Sequence, residues 1–258
     1  MPVAATALIA ACDNALEGIN TQGTWGFVTV GAQKNAAGAH FANAEGLFFA
    51  GNLAAVPNAD FTTDTCADVL LNEGNNLFGV TYLDAGPSVT TTIGGVAGVL
   101  ERTTTTQGLA YLPPGGPPPF TPGDSIVVNV PGVSGGFPAG SIRAKTAEAF
   151  AFPADIPIPA GTEAIHLNWT TPQDPRSAMV VSLRYATTQS PTVLSRNVLC
   201  TFVDDGADSI PFRWHSNWSS SQGTRAVVAT RLRTNYVAAG DGNLGVISTY
   251  QVPTPPRP

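Results

Sequence analysis

Hydrophobic and polar positions alternate with period two along much of this chain, in short runs broken by Gly, Pro and Asp. Residues 24–30 (TWGFVTV) are typical: aromatic and β-branched side chains interleaved with small or polar ones. Runs of this kind fit strands, in which successive side chains point to opposite faces. The pattern predicts further strands over residues 41–50, 66–71, 77–83, 88–93, 99–106 and 125–130, then over 164–169, 178–186, 198–203, 225–233 and 245–252. Residues 225–233 (RAVVATRLR) set Arg and Thr against Val, Ala and Leu, which predicts a strand with one wet face. Residues 141–152 (SIRAKTAEAFAF) read either way, since helix formers precede an alternating tail.

The breaks organise the strands. Residues 112–121 (LPPGGPPPFT) can be neither helix nor central strand, because Pro lacks the N–H that either ladder needs. Another strand pattern follows at 125–130, so the Pro run is expected to be a surface excursion within one domain. Gly-rich residues 132–140 form a further loop, and Asp204-Asp205-Gly206 is a strong turn signal. Residues 152–161 carry three Pro at alternate spacing and read as an extended connector. The expected fold class is all-β, with two antiparallel β-sandwich domains (Ig-like or jelly-roll-like) in tandem. Residues 1–12 form a leader, 13–151 the first domain, 152–161 the connector and 162–258 the second domain.

Composition supports the class and narrows the partners. Charged residues make up 12% of the 258 residues, against about 25% in ordinary soluble domains. Gly (27) and Pro (22) are abundant, and the residues that sustain long helices are scarce. Net charge is −6, unevenly spread: residues 13–151 hold four basic and eleven acidic side chains, and the remainder eight Arg and seven acids. The acidic half repels polyanions, and the Arg residues are scattered along predicted strands without a basic run, so nucleic acid is not an expected partner.

The N-terminus supplies an address. An uncharged apolar stretch leads into Ile9-Ala10-Ala11-Cys12, followed at once by polar Asp13 and Asn14. The tetrad resembles a lipobox, the cleavage and acylation signal of bacterial envelope lipoproteins. The resemblance implies lipidation of Cys12, a membrane attached through that anchor, and a site of action in the cell envelope, at the outer membrane or cell surface. Cys66 and Cys200 then remain. Two readings stay open for them: a disulfide favoured by an oxidising compartment, or two separate buried thiols.

Residues 165–170 (IHLNWT), 180–183 (VVSL) and 198–202 (VLCTF), with Asp204-Asp205-Gly206 and Ser209-Ile210-Pro211, resemble an Ig-like or fibronectin-type module found in bacterial envelope lipoproteins. The resemblance covers about residues 153–251. It implies a sandwich and no particular activity. The intradomain disulfide of antibody domains cannot form here, so Trp169 is expected to pack on aliphatic neighbours.

Several chemistries can be weighed. Gly132-Val-Ser134-Gly-Gly136 matches a GxSxG nucleophile elbow, and Asp204 or Asp205 and then His215 follow in Ser–Asp–His order. That elbow needs a strand running into a helix, whereas Pro131 and Pro138 bracket a loop here; a serine hydrolase using Ser134 ranks third. Trp214 and Trp218 would share one face if residues 211–219 formed a helical turn, and could then stack on a sugar. A carbohydrate-binding module is the second reading, against capping of the sandwich core by the same rings. His40, His166 and His215 have no metal spacing, and Asp60, Asp64, Asp68 and Glu73 lack the Ca²⁺-loop order. No metal or cofactor is expected. The leading expectation is a non-catalytic, lipid-anchored envelope protein that binds a protein or glycan partner or serves a structural role.

Overall fold

The computed structural model describes residues 22–34, 40–52, 64–70, 80–106, 108–116, 119–174 and 176–257. Of these residues 61% lie in strands. The strands are β1 (Gln22–Lys34), β2 (His40–Asn52), β3 (Thr65–Leu70), β4 (Thr81–Tyr82), β5 (Ser88–Ile93), β6 (Val96–Thr105), β7 (Gly108–Leu112) and β8 (Ser125–Val130). They continue as β9 (Gly140–Lys145), β10 (Ile165–Asn168), β11 (Ser177–Thr187), β12 (Ser190–Val203), β13 (Ala207–Ile210), β14 (Arg225–Ala239) and β15 (Gly242–Pro253). One helix, α1 (Phe212–Ser220), stands among the described residues.

Twelve strands follow one path, β3-β12-β11-β14-β15-β1-β2-β7-β6-β5-β8-β9, with β4 attached beside β2 to make a thirteen-stranded mixed sheet. The β10–β13 pair is separate. Pairing is antiparallel except between β1 and β15, which run parallel. Two ladders cross the Pro-containing residues 152–161 in sequence: β1 joins β15, and β3 joins β12. Cys66 and Cys200 are register partners in the second ladder and are joined by a disulfide. In the chain-entropy picture, closing a loop this long stabilises the fold by about 4–5 kcal/mol.

The long strands β1, β14 and β15 serve two apolar cores in succession along one face. Val28 and Val30 of β1, Ala239 of β14, and Leu244 and Val246 of β15 join Phe48, Leu100, Tyr111, Ile126 and Phe137 in the first core. Further along, Ala32, Val227, Ala229, Tyr250 and Val252 join Trp169, Met179, Leu183, Phe202 and Trp218 in the second. The sheet bends so that β9 returns to pack on β14 and β15. The approach is close: a Cβ added at Gly140 would lie 2.7 Å from that of Ala239. This closure surrounds the first core without a hydrogen-bonded ladder between β9 and β15.

Between the cores, the same strand face turns polar. Arg231 and Arg233 are buried at 1% and 3% exposure, and the Ser248 hydroxyl accepts the Ala147 N–H at 2.8 Å. The wet face expected for 225–233 is therefore absent: all nine residues are buried. The strand lies inside the sheet, and its neighbours β11 and β15 are buried on both faces as well.

Most predicted strands coincide with observed ones, and residues 125–130 coincide with β8 end to end. The ambiguous 141–152 segment resolves into β9 followed by an irregular strap that buries Ala147 and Phe150. Residues 152–161 carry no regular structure, and Ile156 anchors them in the second core. Two short strands, β7 and β13, went unanticipated, as did the first half of β12. Residues 71–79 lie outside the described residues, so of the expected 77–83 strand only Thr81–Tyr82 is seen.

Candidate functional site

The buried polar belt is the most concentrated chemistry among the described residues. Alternation in β14 puts Arg231 and Arg233 on the face that also carries Val227 and Ala229, and Ala149, Thr170, Asp174 and Asp204 close over them. Asp204, at the β12 end, receives four hydrogen bonds. Trp169 Nε1–H donates at 2.7 Å, the Ser177 hydroxyl at 2.7 Å, Arg231 Nε at 2.6 Å and Arg231 Nη2 at 3.0 Å. Arg231 also donates to the carbonyls of Ala149 and Thr170 and lies over the Phe150 ring, 5.0 Å from its centroid. Both charges are thus paired and nearly saturated, the condition under which buried ions persist.

Toward solvent, the belt opens into a cleft of about 400 Å³ lined by Lys145, Glu148, Gln173, Asp174 and Arg176. Glu148 accepts the backbone N–H groups of Gln173 (2.9 Å) and Asp174 (3.2 Å), which fixes the 171–174 turn. Asp174 is gripped by Arg176 through Nε and Nη2, both at 3.1 Å, and forms an ion pair with buried Arg233. The Arg176 hydrogen bond holds the Asp174 carboxyl well below the usual carboxylate range, so it stays ionised.

The residues proposed from sequence lie elsewhere. Ser134 is exposed on the turn between β8 and β9, where Val133 N–H bonds Phe137 O and Phe137 N–H bonds Asp84 O. Gly132 is required there: its φ is +72°, and a Cβ would fall 2.2 Å from the Ala139 nitrogen. The chain leaves this turn into β9, a strand, so no nucleophile elbow exists. Asp204 is occupied by Arg231 and its other donors. His215 is buried in α1, with Nδ1 2.8 Å from the Ser219 hydroxyl and Nε2 3.0 Å from the Glu163 carbonyl. The carbonyl can only accept, so Nε2 carries the proton and Nδ1 accepts from Ser219. Asp205 accepts the Ala207 N–H at 3.4 Å, and no hydrogen bond joins Ser134 or His215 to either Asp204 or Asp205, so the triad is not assembled.

α1 does place Trp214 and Trp218 one turn apart, but Trp218 is 0% exposed. The guanidinium groups of Arg225 and Arg257 lie 5.9 and 5.8 Å from its ring centroid. A sugar has no face of Trp218 to stack on, and Trp214 packs partly against the same core. The paired platform of the carbohydrate reading is therefore corrected: these rings belong to the second core. Trp169 stacks on aromatic Phe202 at 6.2 Å within a core that also holds Ile165, Leu167 and Val181, and its N–H is spent on Asp204.

His166 is exposed on β10, and Asp68 is exposed on β3. Asp64 adopts φ +62° and, with Asp205, lies near Asp208, whose carboxyl is pushed up first by burial and then by these neighbours. Among the described residues no group of three His, Cys, Asp or Glu side chains could hold a metal ion. Cys12, Asp60 and Glu73 lie outside the described residues.

Sequence reading missed Arg231, Arg233, Asp174, Glu148 and Lys145. One signal was present: in 225–233 the Arg residues share parity with Val227 and Ala229, so they cannot occupy a purely wet face. No family model, no curated protein and no solved structure matches the chain.

Proposed function

We propose that this chain is a non-catalytic module of the bacterial cell envelope, held to a membrane by a lipid on Cys12. The module binds an envelope protein or glycan through its loops and cleft, or serves a structural role there. The two cores are read as two sandwich units of the expected tandem, fused through shared strands. The observation that carries the envelope assignment is the Cys66–Cys200 bond. Disulfides persist in oxidising compartments and are rare where thiols are kept reduced. With these two cysteines paired, Cys12 is the one left for acylation. The commitment of the buried polar groups supports the non-catalytic part. Asp204 and His215 are each held by neighbours within the fold.

The test is an intact mass of the protein expressed in a bacterial host, together with metabolic labelling by a fatty-acid analogue. The expected result is a mass consistent with cleavage before an acylated Cys12, with label lost in Cys12→Ser. Equal labelling of Cys12→Ser and wild type would remove the anchor. A mass showing free Cys66 and Cys200 thiols after alkylation would remove the compartment argument.

A further inference from the structure

We infer that the cleft between Lys145 and Arg176 is a binding site for a small oxyanion, the carboxylate or phosphate group of a polar ligand. This inference rests on the binding-module reading and names its ligand class; it does not depend on the lipid anchor.

The charge balance of the cleft carries it. Three cations meet there, Lys145, Arg176 and the buried Arg233 behind Asp174, against two carboxylates, Glu148 and Asp174. The cluster is net positive on a chain whose net charge is −6. Both carboxylates are already engaged, Glu148 by two backbone N–H groups and Asp174 by two guanidinium groups. Their acceptor oxygens are committed to the protein, and the three cations still outnumber the two carboxylates. The donors are not used up. Among the described residues, Lys145 has no carboxylate within ion-pair distance. Arg176 spends Nε and Nη2 on Asp174, leaving Nη1.

Arg233 is a second, independent pointer. It is 3% exposed, yet its Nε makes no hydrogen bond. An under-satisfied buried guanidinium behind the lining residue Asp174 adds positive potential from a place where field is poorly screened. Its neighbour two residues away, Arg231, shows the contrast, with both the carboxylate and two carbonyls as partners. A ligand oxyanion bridging Lys145 and Arg176 would complete what the protein leaves open. Arg suits a planar two-oxygen group, and Lys supplies a point charge beside it.

The full chain, at low ionic strength, is titrated separately with sodium phosphate and sodium D-glucuronate, followed by calorimetry and by amide chemical shifts. The expected result is saturable binding of at least one anion. Lys145→Gln and Arg176→Gln should each weaken it by about tenfold, the change expected from about 1.4 kcal/mol. Arg213→Gln, a charge-matched change on α1, should leave it unaltered. Phosphate alone saturating assigns a phosphate-bearing ligand; glucuronate alone assigns a carboxylate-bearing one. Lys145 and Arg176 are exposed, and unchanged melting of the variants shows that they fold. If neither anion saturates, or if the three variants bind alike, the inference is overturned. Acylated protein that binds neither anion would cost this inference alone, and non-acylated protein that binds one would cost only the anchor.

Discussion

Two knots in this molecule use the same ingredients at opposite depths. In the first, Asp84 pairs with Arg102, accepts the Gly86 N–H at 2.8 Å and accepts the Tyr111 hydroxyl at 3.0 Å. In the second, Asp204 pairs with Arg231, Trp169 and Ser177. The Arg102 and Asp84 side chains are 48% and 35% exposed; those of Arg231 and Asp204 are 1% and 0% exposed. Water and salt can replace a partner in the first knot, and nothing can in the second. The lesson is that composition does not set the worth of a pair; the surrounding dielectric does. Tyr111 is the part of the outer knot that reaches the interior. Its ring sits fully buried against Phe48, and its oxygen also accepts the Ala85 N–H at 2.7 Å.

The predictions probe this contrast. The largest effect belongs to the deep knot. Arg231→Met alone strands the Asp204 carboxylate and should cost about 3–5 kcal/mol, while Asp204→Leu with Arg231→Met should recover much of that loss. Urea unfolding of the single and double variants checks it; a double variant as unstable as the single would show that the pair is not the unit.

Tyr111→Phe should cost about 1–3 kcal/mol in the same assay, because it leaves the buried Ala85 N–H without its acceptor. High pH offers a second readout. Burial pushes the Tyr111 hydroxyl up to about 12. Its folded value lies above the unfolded one near 10, so its contribution is fully present below about pH 10 and is lost as pH rises through 12. The Tyr111→Phe variant should lack that part of the alkaline loss.

His215 gives the acid counterpart. Burial lowers its folded pKa, so the native state holds the neutral ring. The stability this confers is complete above about pH 6.5 and is lost as pH falls through the folded value. His215→Gln should flatten that limb of a stability–pH profile as pH falls below about 6.5. An unchanged profile would show that another group carries it.

The smallest effect is at the exposed pair. Arg102→Gln should cost under about 1 kcal/mol, and less at high salt, since exposed charges are screened over about 10 Å at 0.1 M. The Arg231→Met cost should persist under the same salt. If both respond alike, depth does not distinguish the two knots.

How much of this was legible beforehand depends on how local the cause is. Strands such as β5 and β8 are written in β-branched alternation, and their turns in Gly, Pro and Asp. The helix α1 was readable as a contingent turn, because Trp214 and Trp218 are four apart. β7 was not, since five residues between a Thr run and a Pro run carry too little pattern. The candidate site was almost illegible. Lys145 and Glu148 share one stretch, while Asp174 and Arg233 come from two others, and nothing in any one of the three announces the rest. Arg231 looked like a solvated charge because Arg usually is one. It is buried because Asp204, 27 positions earlier, is folded onto it.

By itself the sequence determined the strand-rich character, most strand positions, the irregular stretches at 113–116, 119–121 and 132–139, and the scarcity of helix among the described residues. These follow from side-chain period and backbone restriction, which act over a few residues. Only the tertiary structure decided that β1 runs parallel to β15, that Cys66 meets Cys200, that Trp218 is core, and that a charged belt lies between two apolar cores. Those outcomes depend on which strands become neighbours. Neighbour choice is settled by burying whole faces together, a collective balance that no short window of residues contains.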